Sequence, residues 1–213
     1  VYLEHSRRSY MASLSSMTST LIVPVLNELR GLKAVMPRLP ALDQILVVDG
    51  GSTDGSLEWC IQQGYDVLVQ RRAGLREALG EAWNKARGDV LVEFSPDGNS
   101  DPARVAPLLA AMRHDPTLDM VIVSRYREGA VSDDDTPLTA LANRLFTGMI
   151  NRVFHARYTD ALVMFRAYRR DLPQRLGLLD ERSPWWERHV GRYVSWEPQL
   201  SIRAAKAKCK VGE

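Results

Sequence analysis

A chain of 213 residues with 45% hydrophobic and 25% charged content is sized and composed for one soluble globular domain, which excludes intrinsic disorder and fibrous repeats. A formal net charge of +2 supplies no global field for nucleic acid, so nucleic acid is set aside as a partner. Cys60 and Cys209 stand far apart with no metal-ligand spacing, which points to free thiols, a reducing compartment and a cytoplasmic location.

Residues 1–18 carry charges and serines but no apolar stretch, so they are read as an N-terminal extension of added or disordered sequence, not a signal peptide. The domain is taken as residues 19–213. Thr20-Leu21-Ile22-Val23-Pro24-Val25-Leu26 is a continuous apolar run suited to a strand buried on both faces. After Asn27-Glu28, apolar residues recur at helical spacing from Leu29 to Leu39, where Pro40 stops the helix. Gln44 to Val48 reads as a second strand, and Thr53 or Asp54 is placed to cap the following helix, which carries Leu57, Trp59, Cys60 and Ile61. Tyr65 to Val69, Arg76 to Arg87 and Val90 to Phe94 continue the alternation as strand, helix and strand. Such alternation predicts an α/β fold with a doubly wound, mostly parallel sheet and right-handed crossovers.

Past Asp101-Pro102 the pattern loosens. Arg104 to Arg113 reads as a helix, Met120 to Ser124 as a strand, and Gly129 to Thr136 as a polar surface loop. Leu138, Leu141, Leu145, Met149, Val153 and Phe154 form one stripe of a long amphipathic helix. Core packing is the favoured reading of that stripe; the other is peripheral contact with a membrane surface, with Arg144, Arg152 and Arg157 nearby. Ala161 to Phe165 reads as a short strand, Glu197 to Lys206 as a late helix, and Lys210 to Glu213 as the start of a further strand. No apolar run approaches the roughly 20 residues of a membrane-spanning helix.

Two turns stand out. Val47-Val48-Asp49-Gly50-Gly51-Ser52-Thr53-Asp54-Gly55-Ser56 and Phe94-Ser95-Pro96-Asp97-Gly98-Asn99-Ser100-Asp101-Pro102 each carry an apolar strand into a glycine-containing turn with carboxylates. In a parallel sheet such turns lie together at the carboxyl ends of the strands, where ligands bind. A carboxylate there can accept from ribose hydroxyls or a base N–H. Asp49 is the candidate, Glu28 faces the same crevice, and Pro24 and Leu26 wall it. For Glu28, capping of its helix is an alternative; for Asp54, capping is preferred.

Pro24-Val25-Leu26-Asn27-Glu28, Val48 to Gly55, Gly88-Asp89 leading to Asp97, Ser124-Arg125-Tyr126 and Asp160 to Arg166 together resemble the family 2 nucleotide-sugar glycosyltransferases of the GT-A fold, and within them the dolichol- or polyprenol-phosphate mannosyltransferase-like branch. The resemblance runs from about Ser19 to the end. It implies a nucleotide-binding half over residues 19–101 and an acceptor half over 102–213, and transfer of a hexose from a UDP- or GDP-sugar to polyprenol phosphate with inversion, at the cytoplasmic membrane face. Where relatives carry an Asp-x-Asp metal turn, this chain has Ser95, Asp97 and Asn99, which leaves Asp97 and Asn99 to hold Mg²⁺ or Mn²⁺ weakly, completed by the diphosphate. Gly50 stands where many relatives have a second Asp. Asp101 is an alternative ligand, though Asp-Pro better suits a helix start.

The resemblance also implies phosphate contacts for Arg125 and Arg166, in a reaction centred on Asp97, Arg125 and Arg166, with Arg72 and Arg76 as further candidates and Arg169 and Arg170 beside them. Val163-Met164 replaces the relatives' Ser-Gly and makes that pocket more apolar. Pro198 occupies the position of the relatives' catalytic Asp, which suits an acceptor that is already anionic; Glu187 is a rival base, and Trp185-Trp186 either line an acceptor groove or pack plainly. The rivals are transfer to a soluble sugar or glycan, a retaining synthase, a nucleotidyltransferase and a non-catalytic nucleotide-sugar-binding homologue. Sequence leaves oligomeric state open.

Overall fold

The computed structural model describes residues 17–126, 137–179 and 196–213. Seven strands form one sheet in the order β3-β2-β1-β4-β6-β5-β7. They are β1 (Ser19–Val25), β2 (Gln44–Asp49), β3 (Asp66–Val69), β4 (Val90–Glu93), β5 (Met120–Ile122), β6 (Arg166–Arg169) and β7 (Val211–Gly212). The helices are α1 (Leu29–Val35), α2 (Ser56–Gln62), α3 (Leu75–Lys85), α4 (Val105–His114), α5 (Pro137–Phe154), α6 (Leu172–Arg175) and α7 (Trp196–Lys206). Strand β6 runs antiparallel to both neighbours, β4 and β5, while every other pairing is parallel. The result is the α/β, mostly parallel single sheet that the strand–helix alternation predicts.

β1 lies inside the sheet, and its aliphatic residues Leu21, Ile22, Val23 and Val25 are buried with those of β2 and β4 in one core. A strand packed on both faces favours an unbroken aliphatic run over an alternating one, as observed. Met17 packs on this core, and Thr18 N donates to Asp89 Oδ2 at 2.9 Å. Gly88 is pressed against the start of β1: a Cβ there would lie 2.5 Å from the Thr20 nitrogen.

Three segments differ from the sequence reading. The first helix ends at Val35 and continues as a 3₁₀ turn over Met36–Arg38, because Pro37 cannot extend an α-helical ladder. Ala161 to Phe165 is irregular, and the strand begins at Arg166, so Arg166 and Arg169 belong to a strand and Arg170 to the turn after it. Helix α5 forms over the expected span, but its apolar stripe faces outward. The predicted loop from Gly129 to Thr136, together with Trp185, Trp186 and Glu187, lies outside the described residues.

Candidate active site

The parallel register of β2, β1 and β4 brings their carboxyl ends to one edge, where the two acidic turns and the β1–α1 turn meet. Asn27 adopts a left-handed conformation, φ 57°, which short polar side chains tolerate. Its Oδ1 accepts from Thr53 N at 2.8 Å, while Asn27 N donates to Ser52 Oγ and Glu28 N to Ser56 Oγ, each at 3.0 Å. Asp54 accepts from Ser56 N and Leu29 N, both at 3.0 Å, and so serves the starts of two helices at once. This is the expected capping role, extended across the crevice.

Asp49 is tied into its own turn. Only 1% exposed, its Oδ2 accepts from Gly51 N at 2.9 Å and Ser52 N at 3.1 Å. The carboxylate is needed to satisfy N–H groups where Gly51, φ 93°, reverses the chain. Beside this turn, Leu26 is exposed and Pro24 half-buried. Gln70, which the sequence reading did not name, stands at the same place: its Nε2 lies 3.6 Å from where a Gly50 Cβ would stand, and Leu26 Cδ1 lies 3.5 Å from the same point. The available signal was position alone, one residue past the end of β3.

Glu28 makes no capping bond through its side chain. Its carboxyl is raised above the ordinary value, first by burial and then by the charges of Asp97 and Asp54. Glu28 and Asp97 are therefore electrostatic neighbours, contributed by different strands. Asp97 is exposed at the tip of its turn, where Oδ1 accepts from Asn99 N at 2.9 Å and Gly98 takes φ 93°. Asn99 is exposed beside it, whereas Asp101 accepts from Ala103 N at 3.1 Å and starts the Pro102–Arg104 turn, as expected of a cap. Among the described residues no group of three or more His, Cys, Asp or Glu could hold a metal by itself. A crowded pair of carboxylates with an adjacent amide is nevertheless a hard-oxygen donor set, and a cation would relieve its repulsion.

One glycine sets how closely these parts approach. A Cβ on Gly31 in α1 would fall 2.1 Å from the Pro96 carbonyl oxygen, so only a bare Cα lets the first turn of α1 rest on the Asp97 turn.

The other side of the site is built around Asp160, which is fully buried. Arg125 reaches it with Nε at 2.8 Å and Nη2 at 3.1 Å, and Asn143 of α5 donates at 2.9 Å. Leu162 N and Val163 N each donate at 3.2 Å. Burial alone would lift this carboxyl, but the bonds from Arg125 and Asn143 outweigh it and hold it below its ordinary value. Arg125 also stacks 5.5 Å from the centroid of Tyr126. The predicted arginine is thus half-exposed and held by a carboxylate, Asp160, that had been read only as part of a motif.

Arg166 corrects the prediction. It is wholly buried, with Nε 3.0 Å from Val163 O, Nη1 3.0 Å from Ser201 Oγ and a further contact to Glu197 O. A guanidinium enclosed by backbone carbonyls positions the 161–165 segment and does not meet a phosphate. Arg169 likewise binds Leu118 O and Pro116 O, Arg76 binds Gln199 Oε1 at 2.6 Å, and Arg72 lies 3.7 Å from Glu77 at the surface. Behind the Asp97 turn, Glu93 is buried, accepts from Tyr168 at 2.7 Å, and is pushed up to about 8, chiefly by desolvation, with Arg166 opposing and Glu197 adding to the rise. Pro198 is buried in the first turn of α7, which tolerates proline.

A family profile described as glycosyl transferase family 2 matches residues 20–177. The chain is 27% identical over 194 residues to an uncharacterised glycosyltransferase of Mycobacterium tuberculosis, covering 91% of this chain and 82% of that one. It is 32% identical over 167 residues to undecaprenyl-phosphate mannosyltransferase of Micrococcus luteus, covering 70% of this chain and 65% of the relative. Among solved structures, glucosyl-3-phosphoglycerate synthase from Mycobacterium tuberculosis, in complex with Mn²⁺, UDP-glucose and phosphoglyceric acid, aligns with a TM-score of 0.59 and 25% identity, over 76% of this chain and 60% of the synthase.

Proposed function

The chain belongs to glycosyl transferase family 2 and is a glycosyltransferase; from that membership we propose that it moves a hexose from a UDP- or GDP-sugar to polyprenol phosphate, with inversion, at the cytoplasmic face of the membrane. The observation that carries the reading is the meeting of Glu28 and Asp97 beyond the ends of β1 and β4, where burial first and the charge of Asp97 second raise the Glu28 carboxyl. Residues 19–101 supply the donor side: Leu26 and Pro24 pack against the base, and Gln70 and Glu28 offer hydrogen bonds to base or ribose. Asp97 and Asn99 are the residues to hold Mg²⁺ or Mn²⁺, whose charge would offset that of the leaving diphosphate.

Residues 102–213 supply the acceptor side. Arg125, oriented by Asp160 and stacked beside Tyr126, supplies on this side the guanidinium charge that suits a phosphate. In the transfer the anomeric carbon–oxygen bond to the diphosphate breaks, the nucleoside diphosphate departs with that electron pair, and an acceptor phosphate oxygen forms the new bond. An acceptor that is already an anion gives up no proton, which suits the proline at position 198. The Micrococcus relative, named for transfer to undecaprenyl phosphate, supports this choice of acceptor.

A second reading is favoured by the likeness to the synthase solved with phosphoglyceric acid: a small phosphorylated acceptor in place of a lipid. Both readings use Arg125 in the same way. Thermal-shift measurement with UDP- and GDP-sugars and manganese identifies the donor, because a ligand that binds the folded state raises its stability. Transfer assays with polyprenol phosphate and phosphoglycerate in parallel then identify the acceptor. Transfer that persists undiminished in EDTA overturns the metal assignment, and transfer to the soluble acceptor alone overturns the lipid one.

A further inference from the structure

Helix α5 carries apolar residues on both of its faces. Its inward face mixes buried Asn143, Thr147 and Ile150 with Phe146 and Phe154, which pack on the core, and Asn151 bonds the Tyr158 backbone at 2.8 and 2.9 Å. Its outward face carries Leu138, Leu141, Leu145, Met149 and Val153, which are 75%, 53%, 66%, 55% and 60% exposed. A helix on a water-facing surface ordinarily turns such a stripe inward. Five large aliphatic side chains in one contiguous line over about 22 Å of helix mark a contact surface for something other than water.

We propose that the outer face of α5 lies on an anionic lipid surface. The charge on the helix selects this occupant. Pro137–Phe154 contains no acidic residue, and its two basic residues, Arg144 and Arg152, are both exposed, with Arg157 exposed just beyond the end. A second copy of the chain is the weaker partner. A two-fold contact would set α5 against α5, bringing arginines to arginines with no carboxylate on the helix to pair them. Anionic headgroups supply the missing charge, and acyl chains accept the aliphatic line. No helix among the described residues is long and apolar enough to cross a membrane, so α5 lies along the surface.

The proposal rests on the lipid-acceptor reading for its purpose and on the exposed stripe for its evidence. The opposite face of α5 delivers Asn143 to Asp160, which holds Arg125. A bilayer along the outer face is then separated from that arginine by about one helix diameter, on the order of 10 Å. A headgroup-level phosphate falls within that range.

The test is sedimentation of the full chain with vesicles of phosphatidylglycerol and phosphatidylcholine, against phosphatidylcholine alone, at low and high salt. Binding is expected to the anionic vesicles and to fall at high salt. The double variant Leu141→Glu/Leu145→Glu should lose at least tenfold in binding, and Arg144→Gln/Arg152→Gln several-fold, both with unchanged thermal transitions because these side chains are exposed. Equal binding by the wild type and the leucine variant overturns the proposal, as does absence of binding by the wild type. A wild-type dimer that the leucine variant dissociates, without vesicle binding, assigns the face to a second copy and also overturns it. Vesicle binding combined with transfer only to phosphoglycerate leaves the docking intact and removes the lipid-acceptor reading. Transfer to polyprenol phosphate in detergent without vesicle binding does the reverse.

Discussion

Carboxylates in the β1–β4 half of the molecule accept hydrogen bonds chiefly from backbone N–H groups: Asp49 from Gly51 and Ser52, Asp54 from Ser56 and Leu29, Asp97 from Asn99, Asp101 from Ala103. On the β5–β7 side the bonds run between side chains distant in sequence, as with Asp160 and Arg125, Asp160 and Asn143, Arg166 and Ser201, or Glu93 and Tyr168. Backbone donors are present whatever the neighbouring side chains are. Side-chain donors vanish with one substitution and leave a buried partner behind. The first kind of construction makes a durable edge, and the second couples Arg125 through Asp160 to α5.

Changes that break this comparison should differ in size and kind. Asp160→Ala should cost the most, roughly 3–5 kcal/mol, because it strips Arg125 and Asn143 of their shared partner. A fall of about 10 °C in Tm would register it. The wild-type contribution of this carboxyl is present above its ordinary value near 4 and is lost as pH falls through its lowered folded value.

Glu93→Gln probes the same half through pH. An acid whose folded value is raised to about 8 stabilises the fold only while protonated, so the Glu93 contribution should be fullest below about pH 4.5 and decline as pH rises toward 8. The variant keeps an oxygen for Tyr168 and should flatten that decline, a difference of a few kcal/mol at alkaline pH, read from Tm against pH. Identical slopes would show that Glu93 does not carry the dependence.

In the other half, Asp97→Ala should leave Tm nearly unchanged while lowering kcat/KM by about 100-fold, or about 2.7 kcal/mol of barrier. Intact transfer would remove Asp97 from the reaction. The smallest effect belongs to Asp101→Ala, where losing one N-cap bond should cost about 1 kcal/mol with transfer retained. A large loss of activity there would make Asp101 a ligand after all.

The same contrast explains how much of the molecule was legible in its sequence. The strands and helices of the first half, the gathering of its turns and the capping role of Asp54 follow from local patterns: apolar runs, punctuating glycines and short polar side chains at helix starts. The type of residue at Asp49 was readable but not its orientation, because a carboxylate after a strand serves its own turn and a ligand equally well on paper. Arg166 was misread because an arginine beside an apolar strand carries no local mark of burial; the carbonyls of Val163 and Glu197 and the hydroxyl of Ser201 enclose it only in the folded chain. The stripe on α5 was seen but assigned to the core, since periodicity fixes which residues share a face and not which way that face turns.

Gly31 gives the two acidic turns a common mechanical fate. With the first turn of α1 resting on the Pro96 carbonyl, the turns that carry Glu28 and Asp97 stand in contact. A single added methyl would act as a wedge driven between them. The spacing of Glu28 and Asp97 is thus gauged by a missing carbon, which makes Gly31 a place where the smallest change in size would shift both carboxyls without touching either.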